Sequence, residues 1–251
     1  MSIRAVIFDL DHTLYNFMDC HEIAYIAVAD YAKEHFGIDR ESYIRQVTEA
    51  MHQTNEKVGK NSAATHSRTL RYQTFLENIG EDAITHAYPM NRVYWDTFYK
   101  VMKPEPVVEK VLSAIKDKGL TILIATDMTS EIQFEKIRVL GIGRYIDFLV
   151  TSEEAGAEKP DDRILNLCLK KAKAKARECV FVGDHPKKDV LGPQAFGMNA
   201  VWCRHFDVGR FLREFGKEPD KDVQDQIIHR IERYEDCLRE NDVIDLGGIV
   251  L

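Results

Sequence analysis

The stretch Val6-Ile7-Phe8-Asp9-Leu10-Asp11-His12-Thr13 decides the fold. From Ile3 to Phe8 the chain is apolar on both faces apart from Arg4, as a buried central strand of a parallel sheet is. Two acids two positions apart follow it, and then small polar residues suited to a tight turn. Residues i and i+2 of an extended chain point to the same side, so Asp9 and Asp11 can converge on one point and hold a hard divalent cation. Without a cation or a shared proton, two carboxylates that close repel each other. Ligands of open α/β sheets bind beyond the carboxyl ends of the strands, which is where this pair stands.

Working outward, further strands are predicted at Leu120 to Ala125, Phe148 to Val150, Cys179 to Val182 and Asn199 to Trp202. Helical faces lie between them: Val108, Val111, Leu112 and Ile115; then Ser130 to Leu140, ended by Gly141; then Leu165, Cys168, Leu169 and Ala172. This alternation predicts an α/β fold, a doubly wound Rossmann-like parallel sheet with right-handed crossovers. From about Tyr15 to Met102 the period is helical throughout, with faces at Ala24, Ala27, Val28, Tyr31, at Tyr72, Phe75, Leu76, Ile79 and at Trp95, Phe98, Tyr99, Met102. The face at Ile44, Val47 and Met51 is weaker, and Gly37, Gly80 and Pro89 read as helix ends. Beyond Arg204, the spacing of Ile227, Ile228, Ile231, Tyr234 and Leu238 predicts an amphipathic helix, and Gly247-Gly248 precedes a strand-like tail. The expected organisation is a catalytic core from residues 1–15 and 103–204, an inserted all-helical domain at 16–102, and a helical extension at 205–251. That extension packs on the core or on a second copy of the chain, which leaves a homodimer open.

Composition excludes several function classes. A hydrophobic fraction of 45% with 30% charged residues is that of an ordinary globular protein. The longest apolar runs are strand-length, short of a bilayer span, and the N-terminus lacks the basic and long apolar segments of a signal peptide, so a cytoplasmic protein without membrane contact is expected. A net charge of −7 argues against a broad footprint for nucleic acid polymers, and the basic run Lys170 to Arg177 sits at a helix end, where it complements the helix dipole. The cysteines, Cys20, Cys168, Cys179, Cys203 and Cys237, are odd in number and scattered, which favours reduced thiols over disulfides or zinc.

Three further sites fit one scheme with Asp9 and Asp11: Thr126-Asp127 after a strand, Lys159-Pro160 before a helix, and Gly183-Asp184 with Asp189 after another strand. This set, in this order, resembles the haloacid dehalogenase-like hydrolase superfamily, most of whose members are magnesium-dependent phosphatases. The segments Lys159-Pro160-Asp161-Asp162-Arg163-Ile164 and Gly183 to Pro193 match its members beyond the acids alone. The resemblance implies that Asp9 is a nucleophile forming an aspartyl-phosphate and Asp11 a general acid/base. It implies Mg2+ held by the Asp9 side chain, the Asp11 backbone carbonyl and Asp184, with Asp189 binding through water or orienting Lys159. Thr126, with backbone amides around Asp127, would meet a phosphate, and Lys159 would supply a cation to nucleophile and phosphate. The helical insert looks like the C1 cap of the superfamily, in which Arg68 and Arg71 are candidate substrate contacts. The expected substrate is a small phosphorylated metabolite, a nucleotide or sugar phosphate; a phosphomutase, a dehalogenase and a non-catalytic binding protein on the same fold remain as alternatives.

Overall fold

Strand β1 (Ala5–Phe8) is buried along its whole length because it has a neighbour on each side: β2 (Thr121–Thr126) and β4 (Cys179–Gly183), both parallel to it. β3 (Phe148–Thr151) flanks β2, and β5 (Asn199–Cys203) flanks β4, followed at the edge by β6 (Arg230–Ile231). The order β3-β2-β1-β4-β5-β6 is parallel throughout, so the doubly wound sheet expected from the strand and helix alternation is present. From β1 the chain winds outward through β2 and β3, then returns to the other side of β1 as β4. The crevice at this reversal opens beyond the carboxyl ends of β1 and β4, where ligands bind in such sheets.

The computed structural model describes residues 2–59, 61–206, 221–240 and 243–251. The chain divides into two compact units, one formed by Met1–Asn16 with Lys103–Leu251 and one by Phe17–Met102. The second unit contains α1 (Phe17–Phe36), α2 (Arg40–Val58), α3 (Arg68–Ile79) and α4 (Ala83–Val101). Asp39, Ser67 and Asp82 cap α2, α3 and α4 by accepting a bond from the backbone three residues on. Gly80 ends α3 in the left-handed conformation that favours glycine, at φ 77°. Pro89 does not end a helix, contrary to the expectation, but lies inside α4. Proline in a helix interior costs about 3 kcal/mol. Burial of Met90, Tyr94, Trp95 and Phe98 on the same helix offsets that cost.

In the first unit α5 (Pro106–Asp117), α6 (Ser130–Leu140), α7 (Ser152–Ala155) and α8 (Asp162–Ala172) connect the strands. Its core joins Ile7, Leu123 and Phe181 of the sheet to Ile164, Leu165 and Cys168 of α8. All five cysteines are buried. No helix among the described residues is long and apolar enough to cross a membrane.

The C-terminal segment departs most from expectation. Ile227 to Leu238 is not an amphipathic helix: β6 occupies Arg230–Ile231, a short 3-10 turn follows at Tyr234–Cys237, and Ile228 is exposed. The edge of β5 would otherwise present unpaired backbone groups; β6 covers it, with Trp202 opposite Arg230 and Cys203 opposite Ile231. Asp245–Leu246 and Ile249–Val250 then form an antiparallel hairpin, with Gly247 and Gly248 at positive φ in its turn. Residues 207–220 and 241–242 of the predicted extension lie outside the described residues.

Candidate active site

The turn after β1 is tied down on both sides. The Asp9 backbone N–H donates to the Val182 carbonyl at 2.8 Å, which carries the β1–β4 pairing one residue past the strand. His12 takes a left-handed conformation at φ 62°, and Thr13 Oγ1 reaches back to Asp9 Oδ2 at 3.3 Å. The two acids consequently have different partners. Asp9 Oδ1 accepts from Lys159 Nζ at 2.5 Å. Both oxygens of Asp11 accept from Lys136 Nζ at 2.7 Å, Oδ1 also from the Tyr15 hydroxyl, and Oδ2 from Gln133 Nε2 at 3.3 Å.

Lys159 also donates to Asp189 Oδ1 at 2.7 Å, while the His185 N–H donates to Asp189 Oδ2 at 2.9 Å. Asp189 sits in a π-helical turn, Pro186–Leu191, that folds back over the end of β4. Gly183 makes that return possible: a Cβ there would lie 2.5 Å from Asp189 Cβ and Cγ, so no other residue fits without moving the carboxylate. Asp184, next in the chain, has its backbone carbonyl fixed by Trp202 Nε1 at 2.8 Å. Its Oδ2 is buried and has no hydrogen-bond partner.

Carboxylate oxygens of Asp9, Asp184 and Asp189 lie within 4.8 Å of one another, with Lys159 as the cation in contact with two of them. Burial first, and then the Asp189 and Asp11 charges, push Asp9 up to about 7 despite Lys159. Burial, then Asp9 and Asp189, hold Asp184 well above the usual carboxylate range. Burial works against the charge of Lys159, but Asp189 and Asp9 outweigh it and keep the ammonium protonated. Asp11 is the opposite case among the acids. Burial disfavours its charge, yet Lys136 and the bonds from Tyr15 and Gln133 hold it below its ordinary value as a carboxylate.

This donor set fits a hard divalent cation. Oxygen ligands converge, the negative charge exceeds what Lys159 neutralises, and the unpartnered Asp184 Oδ2 is a ligand atom without a ligand in the chain. Asp189, with one oxygen on Lys159 and the other on a backbone N–H, is engaged as the group that orients the lysine.

The other candidates differ in their surroundings. Thr126 is buried at the end of β2, where its hydroxyl accepts from Gln133 Nε2 at 2.8 Å. The Asp127 carboxylate is fully engaged elsewhere, by the Lys159 backbone N–H at 2.9 Å and Lys188 Nζ at 2.8 Å. As a side chain it braces the Lys159 loop. Arg68 and Arg71 both lie on α3 of the helical unit, Arg68 buried and Arg71 half-buried. Sequence reasoning missed Lys136 and Gln133, both fully buried on α6. A signal for them exists. Gln133, Lys136, Ile137 and Leu140 form an i, i+3, i+4, i+7 face whose first half is polar, a pattern that a packed helix adopts where its N-terminal turn meets polar groups.

Comparison with known proteins identifies the family and the fold. Residues 6–203 match the family model described as haloacid dehalogenase-like hydrolase. A ribulose-1,5-bisphosphate 5-phosphatase of Halopiger xanaduensis is 32% identical, covering 78% of this chain and 83% of its own. A glyceraldehyde 3-phosphate phosphatase of Methanopyrus kandleri is 30% identical across 95% of this chain and 98% of its own. Among solved structures, a 2-haloacid dehalogenase from Pseudomonas syringae superposes with a TM-score of 0.69 at 24% identity, covering 92% of this chain and 95% of that one. A phosphatase from Thermococcus onnurineus does so at 0.67 and 21% identity, covering 93% and 95%; at such identities the likeness is one of fold. The chain belongs to the haloacid dehalogenase-like hydrolase family.

Proposed function

We propose that the protein is a cytoplasmic, magnesium-dependent phosphomonoesterase acting on a small phosphorylated metabolite, with the four-helix unit as its substrate-selecting cap. The observation that carries the reading is the Asp9 and Asp11 pair at the end of β1, one acid on Lys159 and the other on Lys136. The two relatives described above, named as phosphatases of a pentose bisphosphate and of a triose phosphate, support the same reaction class.

In the first step an Asp9 oxygen attacks phosphorus, the bond to the substrate's alcohol oxygen breaks, and Asp11 gives that oxygen its proton. In the second step Asp11 takes a proton from water as the water oxygen attacks phosphorus, which releases inorganic phosphate and restores the Asp9 carboxylate. Lys159 stands by the nucleophile and offsets charge on the transferred oxygens, and Asp189 holds it there. Asp11 is held here as the carboxylate, the form that the second step uses; giving a proton in the first requires the Lys136 contact to loosen. Asp9, Asp184 and the Asp11 carbonyl are the residues that would hold Mg2+, which supplies positive charge to the phosphoryl oxygens.

Dehalogenation is the rival on this fold. A halide leaves without a proton, so an acid beside the nucleophile serves no purpose there, whereas an alkoxide needs one and gains about 10²–10⁴-fold from it. The direct test of the nucleophile is Asp9→Asn, in which an amide cannot attack phosphorus. Phosphate release should fall by about 10⁴-fold or more with the circular dichroism spectrum unchanged. Turnover near that of the wild type would remove Asp9 from the role.

A further inference from the structure

The segment after residue 203 lies beyond the stretch that matches the family model, and the mechanism above uses none of it. Within the core unit it nevertheless reaches the turn that carries Asp9. Its place is set by β6, whose pairing with β5 brings bonds from the Trp202 N–H to the His229 carbonyl at 3.0 Å and from the Arg204 N–H to the Ile231 carbonyl at 2.7 Å. The 3-10 turn Tyr234–Cys237 follows directly and packs against α5.

Tyr234 is fully buried there and held at both ends. Its backbone N–H donates to His205 Nδ1 at 3.1 Å, and the two rings meet edge to face with centroids 5.1 Å apart. At the other end its hydroxyl donates to the Thr13 carbonyl at 3.1 Å, across 221 positions of sequence. Burial first, and then Cys203, hold the phenol well above its ordinary pKa, so it remains an O–H able to donate. A buried ring with one hydroxyl at its tip is a fixed donor.

Thr13 is buried as well, and its own hydroxyl donates to Asp9 Oδ2 at 3.3 Å. The turn between the two passes through His12 at φ 62° and closes with bonds from the Thr13 and Leu14 N–H groups to the Leu10 carbonyl at 3.3 and 3.0 Å. A residue other than glycine in that left-handed region costs free energy and keeps its place where its surroundings hold it. The same segment also supports the other side of the site. Arg230 of β6 lies over the Trp202 ring at 5.4 Å, and the Nε1–H of that indole fixes the Asp184 carbonyl.

We propose that Tyr234 is a positioning residue for the nucleophile: through the Thr13 carbonyl it holds the Asp9 turn in the geometry for attack. The C-terminal segment is then a working part of the active site as well as a cover for the sheet edge. This rests on the phosphomonoesterase reading.

The test removes the hydroxyl and keeps the ring, in Tyr234→Phe. Ile231→Val, at a buried position of β6, loosens the packing of the same segment and leaves the hydroxyl in place. Two readouts are taken on wild type and both variants, well below their melting temperatures. The first is hydrogen exchange, followed by mass spectrometry over the backbone amides of residues 9–14, which requires no turnover. Exchange there should be about tenfold faster in Tyr234→Phe than in wild type or Ile231→Val. Unchanged exchange, or the same acceleration in Ile231→Val, overturns the proposal. The second readout is kcat and KM on an aryl phosphate. In Tyr234→Phe kcat should fall by about tenfold with KM within about twofold of wild type, because a displaced nucleophile leaves binding in place and attacks less often. Faster exchange with kcat unchanged, or an equal loss of kcat in Ile231→Val, overturns the positioning role, since a purely structural bond lowers stability and leaves turnover of the folded enzyme intact. Absence of all phosphate-ester turnover in wild type would sink the phosphomonoesterase reading, while exchange would still decide whether Tyr234 holds the turn.

Discussion

The end of β1 and the face of α3 bury opposite charges. In the core unit Asp9, Asp184 and Asp189 crowd around one lysine, and one carboxylate oxygen is left without a partner. In the helical unit the buried Arg68 donates to the Tyr94 hydroxyl, which also bonds His21, and its Nε–H is left over. Elsewhere acids and bases are paired at the surface, as Lys116 is with Asp147 and Arg138 with Glu135. Exposed pairs contribute little to stability. Buried, unbalanced charge is destabilising unless a ligand completes it. The contrast teaches that a charge buried without an equal counter-charge, more than charge itself, is what sets these two places apart from the paired surface.

The sharpest way to break the comparison is on the acidic side. Asp184→Ala removes the oxygen that lacks a partner, and turnover should drop by at least about 10²-fold, since even the loss of supporting residues around a metal costs 10–100-fold. The same variant should lose the rise in melting temperature that magnesium gives the wild type by binding the folded state. Unchanged metal-dependent stabilisation would exclude Asp184 as a ligand.

A smaller effect is expected from Gly183→Ala. The added methyl would lie 2.5 Å from Asp189, so the carboxylate must move and Lys159 loses its second anchor. A fall in kcat/KM of about 10- to 100-fold is predicted, without loss of the fold. Activity equal to the wild type would show that Asp189 does not position the lysine.

The smallest effect lies on the basic side and depends on pH. His21 is neutral in the folded chain, facing Arg68, Arg71, Tyr25 and Tyr94, with its pKa held well below 6.5. The unfolded chain binds the proton that the native state excludes, so stability is fully present above about 6.5 and is lost as pH falls below it, by at most about 1.4 kcal/mol per pH unit. Denaturant titrations at pH 7 and 5.5, followed by far-ultraviolet circular dichroism, should show this loss in the wild type and a smaller one in His21→Gln. An equal loss in both would place the acid sensitivity elsewhere.

What was legible in the sequence follows from where each residue sits. Asp9, Asp11, Thr126 and Asp184 follow apolar strands directly, and Lys159 precedes a proline and a helix, so local pattern marks them all. Lys136 and Gln133 occupy a helix face that a search for apolar periodicity passes over, although Ile137 and Leu140 continue the same face. In the C-terminal segment a helical spacing of isoleucines misled, because β6 is only two residues long and owes its place to pairing with β5. Pro89 misled for a related reason: packing of α4 overrides a local preference. Arg68 was visible only as a residue on one helix; its contacts with Tyr94 and Trp95 of α4 arise from packing in the folded unit.

The central claim is tested most directly by offering the purified protein an alkyl phosphate and a 2-haloacid side by side, each with magnesium and after chelation. The account predicts phosphate release that requires the metal, no halide release, and a loss of about 10²–10⁴-fold on the alkyl phosphate in Asp11→Asn. Halide release, or phosphate release that survives chelation at full rate, would contradict it.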